Sequence, residues 1–437
     1  MKNVTLKGGA ICLLATIGLI LVLVGTSADL AYCQLPSSEK HEYLIITNKA
    51  LFAPFLRLSN FCNNTENLNT VIYTTDDIKI NYPGADLKAK IRNFIKDAYK
   101  TWGIKYVLLG GDTEIIPAFY MLGMSQGVSM NIPTDMYYAG LDGDWQVIIN
   151  GRAKRQQVDM DAEVCVGRAP VNSNQEANNF VDKTIRYKTY GKEWQKNVLL
   201  LGECIVPNLG RAGLANGALD IALAALRQRD AGHDIWQLYD VIKGRAIGGW
   251  DKTLLRNGGN VPPDSHPDSH RDNNYFSGVN RFDFNLVIHF GHGNRTIIMR
   301  QANADVASFT NSNPFLVYSL ACYSAAFDGY DEERGWAADR DCAGEKLITA
   351  KYGAVALIGN SRGGIGSTKQ ILSGPTIDLM YSFVRNMKGK MRLGEVLQAA
   401  KKEIYDSRPH NIGDWEAAIA ELNLLGDPTL NFDISIL

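Results

Sequence analysis

The sequence predicts an α/β fold in which a mostly parallel sheet is covered by helices. Three observations carry that prediction. Strand-like and helix-like segments alternate from Glu42 onward, the pattern of successive βαβ units. Several strand-length segments are apolar without alternation, such as NLVIHF at 285–290, FLVYSL at 315–320 and GAVALIGN at 353–360, as strands buried on both faces require. The chain has 437 residues, 46% of them apolar and 21% charged, which suffices for a large core and leaves little room for long disorder.

Taken in order, EYLIIT (42–47) is a strand, 50–61 a helix and NTVIYTT (69–75) a second strand. Residues 87–101 form an amphipathic helix with Leu87, Ile91, Phe94, Ile95 and Ala98 on one face. KYVLLGGD (105–112) is a third strand and AEVCVGRAPV (162–171) a fourth, followed by a helix at 174–190. A second series opens with KNVLLLGE (196–203) and a helix at 214–229; the Gly-, Pro-, Asp- and Asn-rich 257–280 is a surface loop. After the strands at 285–290, 315–320 and 353–360 come a glycine-rich loop at 361–366 and helices at 372–387, 393–407 and 415–424. The absence of a long linker predicts two adjacent subdomains, 41–191 and 195–437, in one compact unit.

The first 31 residues read as a secretory signal. Lys2 and Lys7 precede an apolar stretch at 10–24, and small residues follow in GTSADLA. The stretch is shorter than the roughly 20 residues of a spanning helix, so export with cleavage near Ala28 or Ala31 is expected, with no membrane contact afterwards. A net charge of −1 without a basic block implies neither nucleic acid nor an anionic membrane as partner. Seven cysteines show no CxxC pair or zinc spacing. Cys62, Cys165, Cys204 and Cys342 are open to disulfide pairing or to burial as free thiols.

The chemistry sits where strands stop. One strand ends on FGHGN, with His292 between Gly291 and Gly293; another ends on Ala321-Cys322. Neighbouring parallel strands bring their C-terminal ends to one sheet edge, where open α/β sheets place their sites. A thiolate there can attack a carbonyl carbon, and local N–H groups can hold the oxyanion. His289 lies inside its strand and is expected to pack in the core. The pair predicts a cysteine peptidase. A non-catalytic binding or scaffold module is the alternative, weakened by the presence of both reactive residues. Metal-assisted hydrolysis through His266 and His270 of PDSHPDSH lacks ligands on regular structure.

FGHGN and LACYSAAFD resemble the His-Gly and Ala-Cys motifs of the gingipain family, caspase-like cysteine peptidases of clan CD. KYVLLGGDTEIIP, PTDMYYAGLDGDW, EVCVGRAPV and NLLGDPTL resemble further blocks of the gingipain catalytic domain, in the same order. The resemblance spans about 42–430 and implies a three-layer α/β/α caspase-like fold, an endopeptidase of protein or peptide substrates, and no catalytic cofactor. It implies Cys322 as nucleophile, His292 as acid/base, Gly293 and Cys322 N–H groups as oxyanion hole, and Glu203 as support for the imidazole. Asp220 in NGALD would then bind a basic P1 side chain. Ser361 and Arg362 would line the pocket, where Arg362 would instead favour an acidic residue. Of the acidic residues Asp112, Asp135, Asp142, Asp144 and Glu163, the resemblance makes Asp112, Asp142 and Glu163 the expected ligands of a structural calcium. Gingipains also carry a propeptide and an immunoglobulin-like domain, for which this sequence offers no segment, so control by a prodomain is not expected.

Overall fold

The computed structural model describes residues 40–125, 128–143, 145, 160–189, 197–206, 214–229, 234–243, 246–250, 255–256, 259–260, 284–331, 335–336, 341–365, 372–407 and 413–431. The signal segment, Asp144 and the PDSH tandem lie outside the described residues.

The first half supplies β1 (Tyr43–Thr47), β2 (Thr70–Thr74), β3 (Tyr106–Gly110), the hairpin β4 (Phe119–Ser125) and β5 (Val128–Thr134), and β6 (Cys165–Ala169). The second supplies β7 (Asn197–Gly202), β8 (Asp234–Lys243), β9 (Ala246–Trp250), β10 (Leu255–Arg256), β11 (Gly259–Asn260), β12 (Leu286–Phe290), β13 (Ile297–Ile298), β14 (Gln301–Ala302), β15 (Phe315–Ser319), β16 (Tyr330–Asp331), β17 (Gly335–Trp336), β18 (Ala354–Asn360) and β19 (Leu422–Leu425). One sheet runs through both halves in the order β11-β10-β8-β7-β12-β15-β18-β19-β6-β3-β1-β2. Most neighbours are parallel, as the βαβ pattern requires.

The helices in chain order are α1 (Phe52–Thr65), α2 (Thr75–Asn81), α3 (Leu87–Trp102), α4 (Met136–Ala139), α5 (Asn174–Thr189) and α6 (Asn216–Arg229), of which α1, α3, α5 and α6 fall close to their expected positions. The sheet's alternating side chains feed two cores. Leu44, Val107, Leu200, Ile288 and Tyr318 pack on one face, while Ile45, Leu108, Leu199, Val287 and Val317 pack on the other. Each such side chain removed from water contributes about 1.5–3 kcal/mol. This two-sided burial is why the strands read as unbroken apolar runs.

Several elements differ from expectation, among them β8–β11, which extend the sheet beyond β7. Helix α2 (Thr75–Asn81) follows β2 directly, started by Thr74, whose hydroxyl accepts the Asp77 N–H. The β4–β5 hairpin was not anticipated; it packs on the helix Gly413–Glu421. That helix stops at Glu421, and Leu422 to Leu424, expected as its last turn, belong instead to the strand Leu422–Leu425, with all four residues buried. It pairs antiparallel with β18 and parallel with β6. The two halves of the sheet are therefore continuous and run in opposite directions.

Candidate active site

β12 lies between β7 and β15, with His289 opposite Leu201 on one side and Ser319 on the other. The parallel register brings the strand ends Glu203, Gly291–Gly293 and Ala321–Cys322 to one edge. There the two reactive turns touch. A Cβ on Gly293 would sit 2.8 Å from Ala321 Cβ and 3.0 Å from the Cys322 carbonyl oxygen, so only glycine fits without displacement. Among the described residues neither the Gly293 nor the Cys322 N–H donates to another main-chain carbonyl.

The Cys322 thiol is held by its surroundings rather than by a side-chain base. Burial pushes it above its ordinary value, the N–H groups of Gly364 and Cys322 itself pull it down, and the Glu421 carboxylate pushes it up again. Two main-chain donors, the N–H groups of Gly364 and of Cys322 itself, thus face the sulfur. The turn that carries it is fastened to the end of β18. Tyr323, in the left-handed region at φ 56°, donates its N–H to the Arg362 carbonyl at 2.9 Å. Asn360 Nδ2 donates to the Leu320 carbonyl at 3.1 Å, and Ser324 Oγ donates to the Ala321 carbonyl at 3.0 Å.

His292 is exposed, and its Nε2 lies 3.0 Å from the Ile205 carbonyl. A carbonyl can only accept, so Nε2 carries the proton and Nδ1 is the nitrogen with a free lone pair. The expected ring support from Glu203 is not what the structure places there. Glu203 Oε1 accepts from His289 Nε2 at 2.9 Å, and Oε2 takes the main-chain N–H of His292 at 3.4 Å. The carboxylate reaches the histidine's backbone, and a carbonyl two residues further on orients its ring.

Other expected residues separate similarly. Ser361 and Arg362 are buried and occupied: Ser361 Oγ donates to the Pro133 carbonyl, and Arg362 grips Asp328 at 3.0 and 2.7 Å. Arg362 Nε also donates to the Asn131 carbonyl at 2.9 Å. The pair fastens the Cys322 turn to the β4–β5 hairpin, so neither side chain lines an open pocket, and Arg362 is not available to an acidic P1 residue. Gly364, not singled out from the sequence, is the member of that loop that faces sulfur. Asp220 is exposed on α6, with Oδ1 accepting from Gln237 Nε2 and Tyr239 Oη, each at 3.2 Å.

The acidic residues regroup as well. Glu163 accepts the Leu141 N–H and couples to Asp142, whereas Asp112 joins Asp341 and Glu345, one carboxylate oxygen of each lying within 4.8 Å of the others. Asp135, expected in the same acidic set, is paired with Arg168 at 2.7 Å. Glu345 Oε1 is buried without a hydrogen-bond partner. Burial, with Asp112 nearby, pushes the Glu345 carboxyl well above the usual carboxylate range. A hard cation fits this donor set; the set Asp112, Asp142 and Glu163 is not assembled. Among the described cysteines, Cys62, Cys165, Cys322 and Cys342 are free thiols.

Residues 36–433 match the family model described as Peptidase family C25. Three solved structures share the fold. The Arg-specific cysteine proteinase gingipain R, RgpB, is 20% identical with a TM-score of 0.64, covering 92% of this chain and 80% of that one. The complex of the RgpB pro- and mature domains from Porphyromonas gingivalis is 20% identical at 0.62, covering 89% and 79%. A structure described only as a protease is 17% identical at 0.60, covering 90% and 78%. No curated protein matches the chain.

Proposed function

The chain belongs to peptidase family C25, the gingipain family of clan CD cysteine peptidases, and from that premise we propose an exported endopeptidase working through Cys322 and His292. As a cysteine-type peptidase the protein acts on protein or peptide substrates. The observation that carries the site assignment is the contact between the His292 and Cys322 turns at Gly293. His292 Nδ1 takes the thiol proton as sulfur attacks the scissile carbonyl carbon, and the new oxyanion is held by the N–H groups of Gly293 and Cys322. The C–N bond then breaks, and the imidazolium gives its proton to the leaving amine. Water, deprotonated by the same nitrogen, attacks the thioester and releases the acid product and the thiol. The Gly364 N–H steadies the transient thiolate.

Asp220 supplies the proposed preference for a basic P1 side chain, since its exposed carboxylate can pair with a guanidinium or ammonium. Asp112, Asp341 and Glu345 would hold a structural calcium, bracing the N-terminus of the helix Ala343–Thr349 beside the nucleophile turn, where Cys342 Sγ lies 3.6 Å from the Ser324 carbonyl. Among the described residues no helix is long and apolar enough to cross a membrane.

The test uses protein collected from the medium of an expressing cell, its first residue expected just after Ala28 or Ala31. Cleavage of a peptide library scanned at P1 should favour Arg and Lys and vanish in Cys322→Ala. Equal inertness of wild type and variant would support a binding module instead, and a flat P1 profile would remove Asp220 from its role.

A further inference from the structure

A histidine in the middle of β12 is costly. The site is fully buried, and an imidazole there loses its water without compensation unless both nitrogens find partners. His289 has both. Nε2 lies 2.9 Å from Glu203 Oε1, and Nδ1 lies 3.0 Å from Ser319 Oγ. The line extends further at each end. Ser319 Oγ accepts the Ala321 N–H at 3.3 Å, and Glu203 Oε2 takes the His292 N–H at 3.4 Å with Arg300 Nε 3.6 Å away.

Burial disfavours the Glu203 carboxylate, but the bond from His289, the Arg300 guanidinium and the His292 N–H outweigh it, and the carboxyl is held below its usual value. An ionised carboxylate only accepts, so His289 Nε2 carries the proton. Ser319 Oγ, which also accepts the Ala321 N–H, is the partner of Nδ1. The line thus ties the strand that leads to Cys322 to Glu203 through the His289 ring. Gly291 makes the line possible: a Cβ there would fall 2.3 Å from His289 Nε2 and 2.4 Å from Glu203 Oε1.

We infer that His289 is a positioning residue for the peptidase reaction, the middle of a Ser319–His289–Glu203 line that holds the Cys322 turn and the His292 turn in fixed relation. Glu203 serves the acid/base histidine through this line and its backbone rather than through its ring. The inference rests on Cys322 and His292 being the reacting pair. It differs from a packing role in what it demands: the donor toward Glu203, not the bulk of the ring.

The experiment compares His289→Phe, His289→Gln and Ser319→Ala with the wild type, on the best peptide from the library and per folded molecule. Folded fraction is taken from near-UV circular dichroism, and accessible Cys322 from titration with iodoacetamide. His289→Phe keeps the ring's bulk and removes both polar ends; kcat should fall about 100-fold, the cost typical of a reacting group displaced by an ångström, with KM little changed. His289→Gln can return an N–H to Glu203 and should recover at least tenfold of that loss. Ser319→Ala should fall between wild type and His289→Phe. If His289→Phe lowers only the folded fraction and leaves kcat per folded molecule at the wild-type value, or if His289→Gln is no better than Phe, the inference is overturned. Retained activity in Cys322→Ala would instead overturn the site assignment beneath it.

Discussion

At the residue scale the sheet edge separates residues by what they can reach, not by type. His289 and His292 are three positions apart, yet one is sealed in the sheet and the other exposed at its edge. The exposed ring has a lone pair to offer; the buried one has both nitrogens committed. A second buried base shows the same physics away from the site. Lys401 lines a cavity of about 40 Å³ with Asp135, Cys165 and Leu397, and burial, opposed only by Asp135, lowers its ammonium from 10.5 to about 7. Its folded value lies below its unfolded one, so between about pH 7 and 10.5 the unfolded chain binds the extra proton and stability rises with pH. Below about pH 7 both states are protonated and the burial cost is fully present. Lys401→Met should therefore stabilise the protein at pH 6, by on the order of 4 kcal/mol, and the gain should vanish near pH 10.5. Urea unfolding of both proteins at the two pH values measures this; a gain independent of pH would exclude the ionisation as its source.

At the element scale, the turns that follow the strands carry the proposed catalytic residues and neighbouring elements hold them still. The end of β18 fastens the Cys322 turn from one side through Asn360 and Arg362, and the helix Ala343–Thr349 abuts it from another. That helix also brings Glu345 to Asp112. Lys346 Nζ, 2.6 Å from Asp341 Oδ2, offsets one of the three charges and leaves Asp112 and Glu345 crowded together. Burial pushes Asp112 and Glu345 upward, so cation binding must displace a proton and weaken as pH falls. Calcium should raise the unfolding temperature at pH 7 by several degrees, as a stabilisation of about 1–2 kcal/mol would. The gain should shrink toward pH 5 and be absent in Glu345→Gln. Scanning calorimetry with calcium and with EDTA checks it, and a variant that responds like the wild type would remove Glu345 from the ligand set.

At the scale of the whole molecule, β19 is the element that makes one body of two halves. Its four residues are buried between β18 and β6, and Asn423 also accepts the Asp135 N–H at 3.0 Å. Gly426, at φ 147°, follows at once, where a Cβ would meet Ala356 Cβ at 2.5 Å. With a shared central strand, neither half can lose its packing without exposing the other's. Unfolding in urea should therefore be a single transition, with far-UV circular dichroism and tryptophan fluorescence coinciding. Two resolved transitions would mean that the halves are separate folding units after all.

The sequence by itself determined the strands buried on both faces, the helices between them, and the position of His292 and Cys322 just past strand ends. Each of those rests on periodicity or on a residue type whose chemistry is local. Glu203, His292, Gly293 and Cys322 were legible for that reason, and they do meet at one edge. Only the tertiary structure decided who bonds to whom. The ring of His292 is met by a main-chain carbonyl, which every residue has and no sequence marks. Glu203 found His289 because β7 and β12 are adjacent in the sheet, and Arg362 turned inward because Asp328 was there to neutralise it. Leu422–Leu425 became a strand because two open edges flanked it. Partner choice is a long-range property, and burial enforces it by making every unpaired polar group expensive.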